Sequence, residues 1–113
     1  MSGALLISTN LFSAVLKDTN LSGARLTGAV LRGADLSGAY MSSANLKGAD
    51  LSGANLSMAD LSEVKGWTTE QFSAVRSLAG ATMPDGQILK SDDNPDAPTL
   101  EAWLKSKGHV EDG

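Results

Sequence analysis

Large apolar side chains recur at every fifth position through the first half of the chain, at Leu6, Leu11, Leu16, Leu21, Leu26, Leu31, Leu36, Met41, Leu46, Leu51, Leu56 and Leu61. Two positions before each stands a small residue: Ala4, Thr9, Ala14, Thr19, Ala24, Ala29, Ala34, Ala39, Ala44, Ala49, Ala54 and Ala59. Two positions after, glycine dominates, at Gly23, Gly28, Gly33, Gly38, Gly48 and Gly53. A period of five suits neither regular element. Five helical residues advance ~500° and leave successive leucines ~140° apart, while five strand residues flip them to opposite faces. One-sided burial requires the chain to bend after every short extended segment, at the Gly or small polar position. Each Ala and Leu then points into a polygonal coil, and stacked coils pair their backbones at ~4.8 Å as neighbouring strands do. The pattern predicts an all-β solenoid. Its structural core comprises Leu21, Leu26, Leu31, Leu36, Met41, Leu46, Leu51, Leu56 and Leu61 with Ala24, Ala29, Ala34, Ala39, Ala44, Ala49, Ala54 and Ala59. Each inward leucine contributes roughly 1.5–3 kcal/mol of burial.

Stretches such as Ala34-Asp35-Leu36-Ser37-Gly38, Ala49-Asp50-Leu51-Ser52-Gly53 and Ala54-Asn55-Leu56-Ser57-Met58 resemble the A(D/N)LXX unit of the pentapeptide repeat family. The resemblance covers residues 4–63 and departs from the pattern at Thr9, Thr19 and Met58 and in a more apolar first coil. It implies a right-handed quadrilateral β-helix with four pentapeptides per coil, hence about three coils in a domain spanning residues 1–63.

Beyond residue 63 the pattern stops, and all three prolines, Pro84, Pro95 and Pro98, lie in the remainder. Residues 64–89 read as a C-terminal capping helix and turn. Thr68 through Ala79 is the predicted helix, with Thr68 and Gln71 as a capping box and Phe72, Val75 and Leu78 as the cap face over the last coil. A cap there hides leucines and unpaired strand edge. Met83-Pro84-Asp85-Gly86 is a turn signal. The run from Thr68 to Gly86 also resembles the C-terminal cap of cyanobacterial family members. Residues 90–98 contain no aliphatic or aromatic anchor and read as an exposed linker. Residues 99–113 form a short helix and tail, with Leu100, Trp103 and Leu104 on one face and Lys105, Lys107 and Gly108 marking its end. That helix either docks on the solenoid or seeks a partner.

Composition narrows the chemistry. The chain has 113 residues, one small domain, and no cysteine, which removes disulfides, thiolate catalysis and cysteine-held metals. Its net charge of −4 has the wrong sign for nucleic acid or an anionic lipid surface. No run approaches the ~18 apolar residues of a membrane span. The cytoplasm is the default compartment, with a removed targeting leader left open. Serine is abundant, but the single histidine, His109, sits in the tail, so a hydrolase triad has no base. Stacking outward positions twenty residues apart gives the columns Leu5/Arg25/Asn45, Asn10/Val30/Asp50, Val15/Asp35/Asn55 and Asn20/Tyr40/Asp60. None pairs two carboxylates, so no glycosidase-like acid/base couple arises. Asp92, Asn94 and Asp96 have the first spacings of a calcium loop, but Ala97 and Trp103 occupy the positions needing Gly and Glu.

The expectation is therefore a non-enzymatic scaffold, with no catalytic residues, no cofactor and no metal, that binds another protein through its faces or ends. Leu5, Ile7, Phe12 and Val15 fall at positions that are outward in the family pattern and mark a candidate interface, the alternative being that the irregular first coil turns some of them inward as a plug. Its partners are another protein or a second copy meeting the open N-terminal coil, not nucleic acid or membrane. The family resemblance supplies an alternative, since some members resemble DNA in shape and charge and inhibit topoisomerases. Residues 1–63 hold four Lys/Arg and five Asp/Glu, a net of −1. Three coils span only ~14 Å, over which duplex DNA carries ~8 charges. A further alternative is that the chain is a terminal piece of a larger protein.

Overall fold

The computed structural model describes residues 5–92 and 94–106; Ala4, Lys107, Gly108 and His109 of the sequence reading lie outside them. From residue 5 the chain winds into a coil whose layers pair in parallel at a twenty-residue step. Leu5 pairs with Arg25, Asn10 with Val30, Val15 with Asp35 and Asn20 with Tyr40, and the same four columns continue one layer further to Asn45, Asp50, Asn55 and Asp60. Four five-residue units thus complete a turn. Between layers, Leu36 N–H donates to Asn55 C=O at 2.8 Å and Asn55 N–H to Ala34 C=O at 2.9 Å. Each side contributes one isolated bridge and no longer strand, because a turn begins within two residues of it.

The corners explain the glycines. At each, the N–H three residues after the interior Leu donates back to that Leu's carbonyl, as Ala24 does to Leu21 at 3.0 Å. The residue two after the Leu has positive φ, 69° at Gly23 and 68° at Gly33, while the residue before it does not. That combination is a type II turn. The same corner is occupied without glycine at Ser8, Ser13, Asp18, Ser43, Met58 and Glu63, where a Cβ in the left-handed region costs roughly 1–2 kcal/mol. At Gly66, φ 74°, glycine is required twice over, since a Cβ would also lie 2.8 Å from the backbone nitrogen of Lys47.

Side chains at the outward position before each Leu lock the corner. The Oδ1 atoms of Asn10, Asn20, Asp35, Asn45, Asp50, Asn55 and Asp60 accept from the backbone N–H two residues on, at 3.0–3.1 Å. These are Asx turns. The hydroxyls of Ser37 and Ser57 add bonds of 2.7 Å to Asp35 and Asn55, and that of Ser62 donates to Asp60. Inside, Leu21 through Leu61 and Ala24 through Ala59 at the five-residue positions are buried. Leu6, Leu11 and Leu16 are only partly buried, because among the described residues their coil has a neighbour on one side alone.

The coil does not end at residue 63. Lys65 pairs with Asn45 in a fourth layer, whose second side is replaced by helix α1, Thr69–Ala74. Thr68 and Gln71 form the capping box. The helix stops at Ala74, five residues short of the extent read from sequence, and Val75 is already extended. The third coil's edge supplies the reason, because its N–H and C=O groups need backbone partners. Ala54 C=O takes the N–H of Arg76 at 2.7 Å, and Leu56 N–H donates to Ser77 C=O at 2.9 Å. Ser77 then pairs with Asn55 and Thr82 with Asp60, two residues beyond the twenty-residue step. Leu78 therefore belongs to the resumed coil and not to a helix face; it is buried, as are Phe72 of α1, Ala81 and Met83, while Val75 is partly buried.

Gln71 completes the layer. On the other sides the carbonyls of Ala44, Ala54 and Ala59 accept backbone N–H groups of Lys65, Arg76 and Thr82. Over α1 no backbone donor faces Ala49, and Gln71 Nε2 donates to Ala49 C=O at 3.0 Å and to Leu46 C=O at 2.6 Å. Its Oε1 meanwhile accepts the N–H of Thr68 at 2.8 Å.

The chain then reverses at Pro84–Gln87, and Ile88 pairs antiparallel with Thr82. Residues 90–98 close on themselves, with Lys90 N–H donating to Pro98 C=O at 2.8 Å and Asn94 N–H to Ser91 C=O at 3.0 Å. Helix α2, Leu100–Ser106, buries Trp103 and Leu104 on the end of the coil. Trp67 stacks on Phe72 at 5.1 Å and touches Trp103 at 5.3 Å, and Trp103 Nε1 donates to Asp85 Oδ1 at 3.0 Å. The helix docks within the chain.

Two predictions follow from these bonds. Gln71→Glu keeps the capping box but cannot donate to Ala49 C=O and turns a carboxylate toward two carbonyls. Denaturant unfolding should show a loss of about 1–3 kcal/mol, at least that of Gln71→Ala; an unchanged midpoint for Gln71→Glu would show the bond contributes nothing.

The second concerns acid. Asp35 and Asp50 are held below the ordinary carboxylate range, first by the hydroxyls of Ser37 and Ser52 and then by the backbone N–H groups of the same residues. Partial desolvation opposes this, and Lys17 and Arg76 beside Asp35 and Arg32 beside Asp50 reinforce it. A carboxyl more acidic in the fold than in the unfolded chain, where it titrates near ~3.9, stabilises fully above that value. The contribution is lost as pH falls through the folded value. Melting temperature should fall with acidification below pH ~4, and less steeply in Asp35→Asn/Asp50→Asn, because Asn keeps the Oδ1 acceptor. Identical acid slopes would refute the assignment.

Candidate interaction surface

The register sorts outward residues into four sides. The first carries Leu5, Arg25, Asn45 and Lys65 in one column, with Ile7, Thr27 and Lys47 two residues on. The second carries Asn10, Val30 and Asp50 with Phe12, Arg32 and Ser52. The third carries Val15, Asp35, Asn55 and Ser77 with Lys17, Ser37 and Ser57. The fourth carries Asn20, Tyr40, Asp60 and Thr82 with Ser22, Ser42 and Ser62.

Charge is not spread evenly over these sides. The first holds Arg25, Lys47 and Lys65 and no acid, whereas the fourth holds Asp60 and, at its corner, Glu63, and no base. Among the described residues one ion pair forms, Arg32 Nε to Asp50 Oδ2 at 3.5 Å on the second side. It is exposed and contributes little. A shallow groove on the first side is lined by Ile7, Arg25, Thr27, Ser43, Asn45 and Lys65.

The four candidate interface residues all lie on the surface. Leu5, Ile7, Phe12 and Val15 are 68%, 49%, 62% and 79% exposed, and they occupy three sides of the first coil. They border an open edge. The backbone N–H and C=O groups of Asn10, Val15 and Asn20 find no partner among the described residues, whereas one layer up Val30, Asp35 and Tyr40 donate to Thr9, Ala14 and Thr19 and accept from Leu11, Leu16 and Leu21. The serine hydroxyls are engaged locally, with Ser42 Oγ 3.3 Å from Ser22 Oγ and Ser57 Oγ 2.8 Å from Ser77 Oγ. A cleft at the other end, lined by Phe72, Val75, Leu78, Leu89 and Leu100 with Arg76 and Lys90, is shallow and open.

Sequence reading missed the contributions of Trp67, Met83, Leu89 and the Gln71 amide. For Met83 a signal existed. Leu78 and Met83 stand five apart with Gly80 and Ala81 between them, the same spacing as in the repeats, displaced by two residues.

Comparison with known proteins agrees with this architecture. A family model described as pentapeptide repeats matches in eight copies over residues 1–28, 9–48 and 29–65. Among solved structures, two trypsin-treated variants of QnrB1, a plasmid-mediated fluoroquinolone resistance protein, align with TM-scores of 0.68 and 0.63 at 20% and 24% identity. The alignments cover 100% and 74% of this chain and 46% and 39% of QnrB1, so the chain spans less than half the length of that protein. HetL, a pentapeptide repeat protein involved in heterocyst differentiation regulation from the cyanobacterium Nostoc sp. strain PCC 7120, is 29% identical over 78% of this chain and 50% of its own, with a TM-score of 0.43. No curated protein sequence matches the chain. Among the described residues no helix is long and apolar enough to cross a membrane. With the five-residue unit, the twenty-residue register and the family model in agreement, the chain belongs to the pentapeptide repeat family, whose members form right-handed β-helices.

Proposed function

We propose that this protein is a non-enzymatic quadrilateral scaffold, three full coils and a helix-interrupted fourth, that works by binding protein through its N-terminal coil. The observation that carries the reading is the girdle of Leu5, Ile7, Phe12 and Val15 beside an edge of unpaired backbone groups. Exposed apolar surface next to open strand edge marks an interface. Several features support a role without catalysis. The columns place at most one carboxylate each, the hydroxyls of Ser37 and Ser57 serve the corners, and the cleft beside Phe72 and the groove beside Arg25 are open.

A second copy of the chain is the partner this end suits best. A two-fold contact places two identical edges antiparallel, matches their donors and acceptors, and closes at the dimer because α1 and α2 cover the other end. The DNA-mimicking alternative has less support, since the first side carries three cations and no acid. A mimic of a duplex needs negative charge on every approach.

Sedimentation of the 113-residue chain and of Phe12→Glu/Val15→Glu tests this reading. The expected result is a dimer of the 11.6 kDa chain at high micromolar concentration and, for the variant, a monomer whose circular dichroism is unchanged and whose melting no longer depends on concentration. A monomeric parent chain, or a dimer indifferent to both charges, overturns the second-copy reading.

A further inference from the structure

The first side combines features that no other side shares. At the open end lie Leu5 and Ile7, both exposed. Above them stand Arg25, then Lys47 beside Asn45, then Lys65, all exposed and none in an ion pair among the described residues. The layers rise by ~4.8 Å, so the three cations lie ~5, ~10 and ~14 Å along the coil from the apolar pair. The hydroxyls of Thr27 and Ser43 and the amide of Asn45 line the groove between them.

We infer that this side docks an acidic, extended segment of a partner protein, one apolar residue followed by carboxylates at alternate positions. The inference rests on the protein-binding reading above and gives that scaffold a partner chemistry. In an extended chain the side chains on one face are ~6.7 Å apart. An apolar residue on Leu5 and Ile7 therefore places the next same-face carboxylate at ~7 Å, between Arg25 and Lys47. The following one falls at ~13 Å, beside Lys65. The intervening residues face solvent and are unrestricted.

Charge complementarity favours a peptide over nucleic acid. Three cations neutralise only three phosphates, where nucleic-acid binders commonly make about 6–10 such contacts. A duplex is also wide enough to overhang the neighbouring side, where Glu63 at the corner and Asp60 behind it repel phosphate. A single extended peptide avoids Asp60 and meets Glu63 only at its far end, where the corner column of Ser43 and Glu63 borders the groove. Glu63 makes no ion pair with Lys65 among the described residues, so the ammonium is available.

The test is an amide NMR titration of the isotope-labelled Phe12→Glu/Val15→Glu chain, which leaves the first side intact, with the probe acetyl-Phe-Ser-Glu-Ser-Glu-amide. The expected result is saturable shifts at Thr27, Asn45 and Lys47 with a dissociation constant below about 1 mM. Arg25→Glu/Lys65→Glu, checked for unchanged melting, should weaken binding about ten-fold or more, and Arg32→Glu on the second side less than about two-fold. A probe with both Glu replaced by Gln should not saturate. Absence of saturation with the acidic probe, equal affinity for the Gln probe, indifference to the Arg25/Lys65 reversal, or tighter binding of a single-stranded oligonucleotide of equal charge each overturn the inference. Because the titration uses a background in which the proposed end-on contact is disrupted, its outcome is independent of whether the parent chain dimerises.

Discussion

The left-handed residue two places after each interior leucine is the constraint on which this molecule depends. It turns the chain at every corner, and without it an extended five-residue unit would send alternate leucines to opposite faces. Glycine adopts that conformation without penalty. Ser8, Ser13, Asp18, Ser43, Met58 and Glu63 adopt it because the N–H of each donates to a carbonyl of the next layer, and Asx turns precede Ser13, Met58 and Glu63. Three of the four corners of the first coil, Ser8, Ser13 and Asp18, lack glycine, and among the described residues this coil has a neighbour on one side only. Positive-φ corners without glycine and incomplete burial therefore coincide in the first described coil.

The two ends meet the same problem differently. A coil that stops exposes leucines and unpaired backbone groups, and the C-terminal end covers both. There α1 replaces one side of the fourth layer, the chain resumes the coil at Arg76, and the Gln71 side chain supplies the donor that a backbone N–H supplies elsewhere. The Trp67, Phe72 and Trp103 cluster then seals α2 onto the end. At the N-terminal coil the described residues show apolar side chains outward and edge groups open.

Surface chemistry is a consequence of register. Arg25, Lys47 and Lys65 are far apart along the chain and share one side because twenty residues complete a turn. Asp60 and Glu63 are brought to the adjoining side by the same arithmetic. The grooves lined by the described residues are open, so on the proposed reading a partner is recognised by side and by layer. On the proposal above, an extended segment running along the rod fits because two of its ~6.7 Å side-chain repeats span nearly three layers.

Local spacing was sufficient to read the repeat, the inward Leu and Ala positions and the capping box of α1 at Thr68 and Gln71, because each depends on contacts within a few residues, whereas the outward placement of Leu5, Ile7, Phe12 and Val15 rested on the family pattern. The twenty-residue step was available only through family resemblance, since a period of five does not specify how many sides close a turn. What followed Ala74 required the tertiary structure. Phe72, Val75 and Leu78 have helical spacing, and local propensity favours continuing the helix, but the unpaired edge of the third coil, present only once three coils are stacked, draws Arg76 and Ser77 into backbone pairing instead. The same holds for the fate of α2, whose docking depends on Trp103 reaching Asp85, eighteen residues earlier, and Trp67 across the end of the coil. Sequence determined which residues turn and which point inward, because those are properties of five consecutive residues; only the stacked coil decided which edges remained to be satisfied, because an edge belongs to the assembly of layers and to no single one of them.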